Sequence, residues 1–134
     1  MMRRLDQRGT AALEFILVAV PLFTLMFAIF DLGRYAITRQ SLQTLANAGA
    51  RAWMICYAKG VIQSPPPPCT GDLLPDSVKQ AIAPFLYSGG LTPTLNATQG
   101  ANVTVTASQP SFTMLMPIWG TALNAPSAST SIPL

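Results

Sequence analysis

Glu14 is the residue whose chemistry most needs an account. From Ala11 to Phe30 every residue except Glu14, Pro21 and Thr24 is Ala, Val, Ile, Leu, Met or Phe. A charge at the centre of a lipid-buried run costs roughly 2.5–3.5 kcal/mol, and less near its end. Glu14 therefore either snorkels or is protonated at the inner interface, or meets a cationic partner. Cys56 and Cys69 are the only thiols. In an oxidising compartment they pair, in a loop-closing bridge worth roughly 3 kcal/mol. Two cysteines with no other soft ligand nearby make a poor metal site, so no metal is expected. Beyond the apolar run the carboxylates are Asp31, Asp72 and Asp76, and the chain has no histidine. No Gly-rich phosphate loop or nucleophile elbow is present. Asp72 and Asp76 are spaced to share a helix face, but capping at a helix start explains them better. The expectation is a protein that is not an enzyme and carries no cofactor.

The elements that must position these groups follow from the hydropathy pattern. The chain has 134 residues, of which 50% are apolar and 10% charged, and its mean hydropathy is +0.39. This composition excludes a disordered chain and is unusual for a soluble domain. The excess is concentrated in the 11–30 run, whose length matches the ~30 Å core of a bilayer. Arg3, Arg4 and Arg8 precede it, with Asp6 the one acid among them. A short basic flank stays in the cytoplasm, which places residues from about 31 onward outside. In a bacterium the outside is the periplasm. A net charge of +3, scattered along the chain, gives no reason to expect nucleic acid.

Helical character continues past the run. Tyr35, Leu42, Gly49 and Cys56 recur at heptad spacing, with Thr38, Leu45 or Ala46, and Ala52 or Trp53 between them. This narrow stripe predicts a core-facing helix, or one packed against another subunit. Arg34, Gln40, Gln43, Asn47 and Arg51 fall on other faces. A single helix over 11–56 is about 70 Å long, with a kink or loosening expected at Pro21 and a weak point at Gly33. Residues 57–71 read as a Pro/Gly-rich loop containing Pro65 to Pro68. A short helix is expected between Asp72 and Tyr87, capped by Asp76, with Val78, Ile82, Phe85 and Leu86 on one face and Pro84 near its end. Gly89-Gly90 is a turn. Strands are expected at Asn102–Ala107, Ser127–Ile132 and near Leu91–Leu95. Phe112–Leu123 reads as a strand ending at Pro117 and then a loop. The fold class is α+β. It comprises a leader (1–9), a membrane helix (10–33), its periplasmic continuation (34–56) and a small α+β domain with antiparallel strands (57–134).

The stretch Arg8-Gly9-Thr10-Ala11-Ala12-Leu13-Glu14-Phe15 resembles the prepilin peptidase site of type IV pilins and pseudopilins. Its spacing, Gly then Glu five residues on and an aromatic next, is similar to the type IVb branch. Arg8 to Trp53, with Pro21 in the apolar run and DLGRYAITRQSLQTLANAGARA after it, resembles the TadE-like family of the tight-adherence (Flp) pilus system. The resemblance implies cleavage between Gly9 and Thr10 by a membrane aspartyl peptidase. Glycine permits close backbone approach at the scissile bond. The new amino group at Thr10 would pair with Glu14 of a neighbouring subunit and set the stagger of helices. Phe15 stands where major pilins usually carry Tyr, and Phe also occurs in the TadE-like group. Major Flp pilins end soon after the helix, so the exterior domain implies a minor pilin or pseudopilin. The implied partners are the peptidase, a related pseudopilin, the major Flp pilin, the inner-membrane assembly platform and the lipid bilayer. The alternative is an unprocessed single-span anchor carrying a small periplasmic binding domain.

Overall fold

The computed structural model describes residues 7–62 and 68–134, with side chains from residue 9 onward. Its order is α1 (Gln7–Ile62), α2 (Asp76–Ile82), a 3-10 segment (Pro84–Gly90), β1 (Thr94–Gln99), β2 (Asn102–Ser108), a 3-10 turn (Pro117–Trp119) and β3 (Ser127–Pro133). This is an α+β fold, in which a long N-terminal helix joins a short helix and an antiparallel sheet. Arg3 and Arg4, and Pro65 to Pro67, lie outside the described residues, as does the side chain of Arg8.

The 56-residue α1 is about 84 Å long at ~1.5 Å per residue. Helix runs unbroken through Pro21 and Gly33. The Thr24 hydroxyl donates to the Val20 carbonyl at 2.8 Å, one turn back and next to the proline. The helix also extends past Cys56, where the sequence predicts a loop. Tyr57 stacks on Trp53 with ring centroids 5.2 Å apart, so the last turns keep a packing partner. Gly60 lowers helix propensity by only about 1 kcal/mol, too little to stop such a helix alone.

The helix has two unlike halves. From Leu13 to Phe30 its large apolar side chains are exposed. From Asp31 onward one stripe turns inward: Asp31, Thr38, Leu42, Leu45, Ala46, Gly49, Ala50 and Trp53 are buried, and Tyr35 and Cys56 half-buried. This is the heptad stripe read from the sequence. It lies on a three-stranded antiparallel sheet of order β1-β2-β3. Leu95 pairs with Ala107, Ala97 with Val105, and Ala107 with Ala128. Alternation on β2 buries Val103, Val105 and Ala107 and turns Asn102, Thr104, Thr106 and Ser108 outward. Each fully buried Leu or Val contributes about 1.5–3 kcal/mol relative to exposure. Helix and sheet meet closely at Gly49, where an added Cβ would lie 2.9 Å from Val105 Cγ1 and 3.0 Å from Leu95 Cδ2.

Four local expectations are corrected. Asp76 is the first residue of α2, and the N-cap is Pro75, with no side-chain cap bond. The buried face of α2 and the 3-10 segment is Lys79, Ala83 and Leu86, spaced one and two turns apart, so Leu86 is buried as expected and Ile82 half-buried while Val78 and Phe85, on neighbouring faces, are exposed. Pro84 does end α2, and Gly89 and Gly90 turn with φ of 71° and 75°. The strand near Leu91–Leu95 lies later, at Thr94–Gln99, after Pro93, since proline has no N–H for a ladder. Phe112–Leu123 forms no strand. Backbone groups there bond to side chains and within turns instead, with Met114 N–H on Asn124 Oδ1 at 2.9 Å.

Candidate functional site

Gly9, Thr10, Glu14 and Phe15 lie on the first turns of α1, all exposed. Thr10 and Glu14 are one turn apart and share a face. Open space surrounds Gly9. Among the described residues Glu14 has no ion-pair partner. Among the described residues no element covers this end: every large apolar residue from Leu13 to Phe30 is at least 43% exposed, with Phe15 at 71%. A helix apolar all round and uncovered requires an apolar environment other than its own core. Its length and composition suffice to cross a bilayer.

Where the exposed half gives way to the buried half, a clamp closes. Asp31 is 2% exposed. Its carboxylate accepts the backbone N–H of Leu115 at 3.1 and 3.2 Å and that of Met116 at 3.0 Å. Arg34 Nη1 stands 3.6 Å away, one turn up. The Arg34 guanidinium also lies over the buried Phe112 ring, 5.4 Å from its centroid, and Phe112 meets Tyr35 at 6.4 Å. The loop from Phe112 to Asn124 is thereby fixed to the helix just beyond its apolar run. Two N–H groups and a cation satisfy a carboxylate that would otherwise be costly to bury. Sequence reasoning counts Asp31 only among the carboxylates beyond the apolar run. The signal that finds it is register: Asp31 precedes Thr38 by one heptad, so it begins the buried stripe.

A second polar cluster joins α2 to the loop that precedes it. Lys79 Nζ meets Asp72 Oδ2 at 2.6 Å and Asp76 Oδ1 at 2.7 Å. Burial pulls the ammonium down, but hydrogen bonds and charge from both carboxylates outweigh it and leave the Lys79 pKa raised. Burial likewise raises the nearby Tyr87 phenol. Asp72 and Asp76 thus serve one lysine and do not face each other as an acid–base pair.

The bridge expected between Cys56 and Cys69 is present, with Cα atoms 5.8 Å apart. It ties the upper end of α1 to the strand edge, because Gly71 pairs with Ala97 through two backbone hydrogen bonds of 3.0 and 2.8 Å. No cluster of metal-ligating side chains occurs among the described residues.

A helix left bare below one acid and packed above it therefore frames the site, and the comparison that bears on it falls on this helix. Residues 9–51 match the TadE-like protein family. The resemblance to the TadE-like family read over Arg8–Trp53 is borne out over residues 9–51. The matched segment runs from Gly9 through Glu14, Asp31 and Gly49, and so includes both the bare half and most of the packed stripe. No curated protein and no solved structure matches the chain. The small domain beyond residue 62 thus stands outside the TadE-like match.

Proposed function

We propose that this chain is a minor pilin or pseudopilin of a Tad/Flp type IVb pilus, acting in assembly by initiation or capping. The observation that carries the reading is the uncovered apolar half of α1 within the TadE-like segment. The chain inserts with its N-terminus in the cytoplasm and its domain in the periplasm. A prepilin peptidase cuts between Gly9 and Thr10, and Arg3, Arg4 and Arg8 hold that bond at the cytoplasmic face. Thr10 and Glu14 then expose one cation and one anion a turn apart on a lipid-facing helix. Each is costly in hydrocarbon, and pairing between staggered neighbours removes both costs. Register between subunits follows from that pairing, and affinity from lateral packing of the apolar faces. The subunit waits in the inner membrane and associates with a related pseudopilin, the major pilin and the assembly platform. The domain supplies the surface for capping. The protein performs no catalysis, and extrusion is driven by a separate cytoplasmic ATPase.

The test is the N-terminus of the mature protein from native membranes, read by intact mass and peptide sequencing with and without the peptidase. A chain beginning at Thr10 only when the peptidase is present is the expected result. An intact leader in both samples overturns processing and leaves the single-span anchor.

A further inference from the structure

The connection between β2 and β3 is the part of the molecule that the proposed assembly role leaves unused. It belongs to a stretch, residues 110–134, without one charged side chain. At its centre Met114–Trp119 reads Met-Leu-Met-Pro-Ile-Trp. Leu115 is 73% exposed and Ile118 58%, while Met114, Met116 and Trp119 are half-buried. Exposed apolar residues grouped in this way mark a contact surface.

The position of this tip identifies the contact. Asp31 holds the Leu115 and Met116 N–H groups, so the tip is fixed at the residue that follows the apolar run. Leu115 and Met116 also line a cleft of about 270 Å³ together with Phe27 and Phe30, which belong to the run itself. The loop therefore reaches back from the domain to the level where the helix surface becomes wholly apolar. Absence of charge and a tryptophan beside aliphatic residues match the headgroup–acyl boundary, where amphipathic aromatic rings gather.

We infer that Met114–Trp119 is an interfacial membrane anchor, dipping Leu115 and Ile118 into the outer leaflet beside α1 with Trp119 at the boundary. This rests on the proposed membrane span of α1. The surface it binds is the same lipid that surrounds Phe27 and Phe30, so the anchor continues that contact. A second point of attachment fixes the tilt of the domain over the membrane, which one helix alone leaves free. It also keeps water from Asp31, and a dry carboxylate holds its N–H donors more strongly. Leaving the bilayer for a filament then requires both the span and the loop to give up lipid.

The two tryptophans supply the experiment. Trp53 is buried in the domain core, about 33 Å along α1 from Asp31 at ~1.5 Å per residue. The full chain is reconstituted in phosphatidylcholine nanodiscs, with or without lipid brominated near the glycerol end of the acyl chain. Bromine quenches tryptophan on contact. Emission is expected to fall by up to about half, because Trp119 is one of two tryptophans, and Trp119→Phe should abolish the loss. Equal emission with and without bromine in the unaltered chain overturns the anchor, as does quenching that survives Trp119→Phe. The span is read separately in a Phe23→Trp, Trp119→Phe chain with lipid brominated near the chain terminus. Quenching there without quenching of Trp119 leaves the span standing and removes the anchor. No quenching at residue 23 removes both. Leu115→Ser with Ile118→Ser should restore Trp119 emission while the domain still melts cooperatively. Persistent quenching in that chain also counts against the anchor.

Discussion

The Asp31 carboxylate accepts the Met116 backbone N–H at 3.0 Å, across 85 positions of sequence. This bond and its neighbours from Leu115 fix the loop between β2 and β3 to the helix. A hydrogen bond to a charged acceptor contributes about 1.5–3 kcal/mol. Asp31→Asn keeps the shape but offers one acceptor oxygen and turns an NH2 toward two donors. Loop docking is expected to weaken by about that amount. Amide exchange at Leu115 and Met116 should accelerate, while β2 amides keep their protection. Unchanged exchange at both loop amides would show that the clamp does not hold the loop.

Gly33 and Gly49 lie on the same helix and are expected to answer alanine oppositely. Nothing lies within 4 Å of a Cβ at Gly33. Gly33→Ala should therefore be neutral or stabilise by up to about 1 kcal/mol through helix propensity. At Gly49 the added carbon meets Val105 Cγ1 at 2.9 Å, and a β-branched side chain on a paired strand has little room to turn. Overpacking costs about 1–3 kcal/mol and exceeds the propensity gain. Thermal melts of the two variants compare them directly, and equal melting temperatures would sink the close-packing account.

The difference between these glycines was partly legible in the sequence. Gly49 sits on the heptad stripe and Gly33 does not, which is the same signal that places Leu42 and Leu45 in the core. Period-two alternation likewise placed β2 and β3, because β-branched residues at Val103 and Val105 alternate with threonines. The missed features are those set by tertiary partners. Asp76 has an N-cap residue type, but Lys79 is buried above it and takes its carboxylate. Phe112–Leu123 is apolar enough for a strand, but its N–H groups go to Asp31 and Asn124. Those acceptors are distant or side-chain groups that no local pattern reveals. The helix passes Cys56 because Tyr57 finds Trp53, a contact one turn back that outweighs the approach of the proline run. At the N-terminal end the Gly9, Glu14, Phe15 pattern was legible as a motif, while Glu14 has no partner within the described chain that geometry alone would single out.

The Cys56–Cys69 bridge should be worth about 3 kcal/mol by the chain-entropy account. It also keeps the end of α1 against the Gly71–Ala97 edge. Replacing both cysteines by serine is expected to lower the unfolding midpoint of the domain by a corresponding amount. Addition of reductant should lower the unaltered protein to the same midpoint and leave the double variant unchanged. A midpoint insensitive to reductant would show that the bridge contributes little.

Lys79 gives the domain a weakness in alkali. Its pKa is raised in the fold from an ordinary 10.5, so the protonated form favours folding. That contribution is complete below the unfolded value and is lost as pH rises through the folded one. Tyr87, raised from 10.0 by burial, acts with the same sign because burial favours its neutral form. The melting temperature should be flat at neutral pH and fall once pH passes about 10. Lys79→Met should be less stable at neutral pH by about 1–2 kcal/mol. Its melting temperature should also fall less steeply in alkali. Parallel pH profiles for the two proteins would assign the alkaline loss to other groups.

Glu14 separates the assembly reading from a plain anchor. It is exposed on a wholly apolar stretch and has no charged partner among the described residues, so within one subunit its carboxylate contributes nothing to the fold. Removing it should make insertion easier, by up to about 2.5–3.5 kcal/mol if the residue lies deep in the bilayer. Glu14→Ala is therefore expected to accumulate in the membrane at normal levels and to keep the melting temperature of its domain. Cleavage at Gly9 should also persist, since that bond lies a turn away. What should be lost is crosslinking between neighbouring helices and, with it, pilus formation. A plain anchor predicts the reverse, namely full function with a better-inserted helix. Counting pili in cells that express Glu14→Ala in place of the native chain distinguishes the two, and a wild-type count would sink the register role of Glu14.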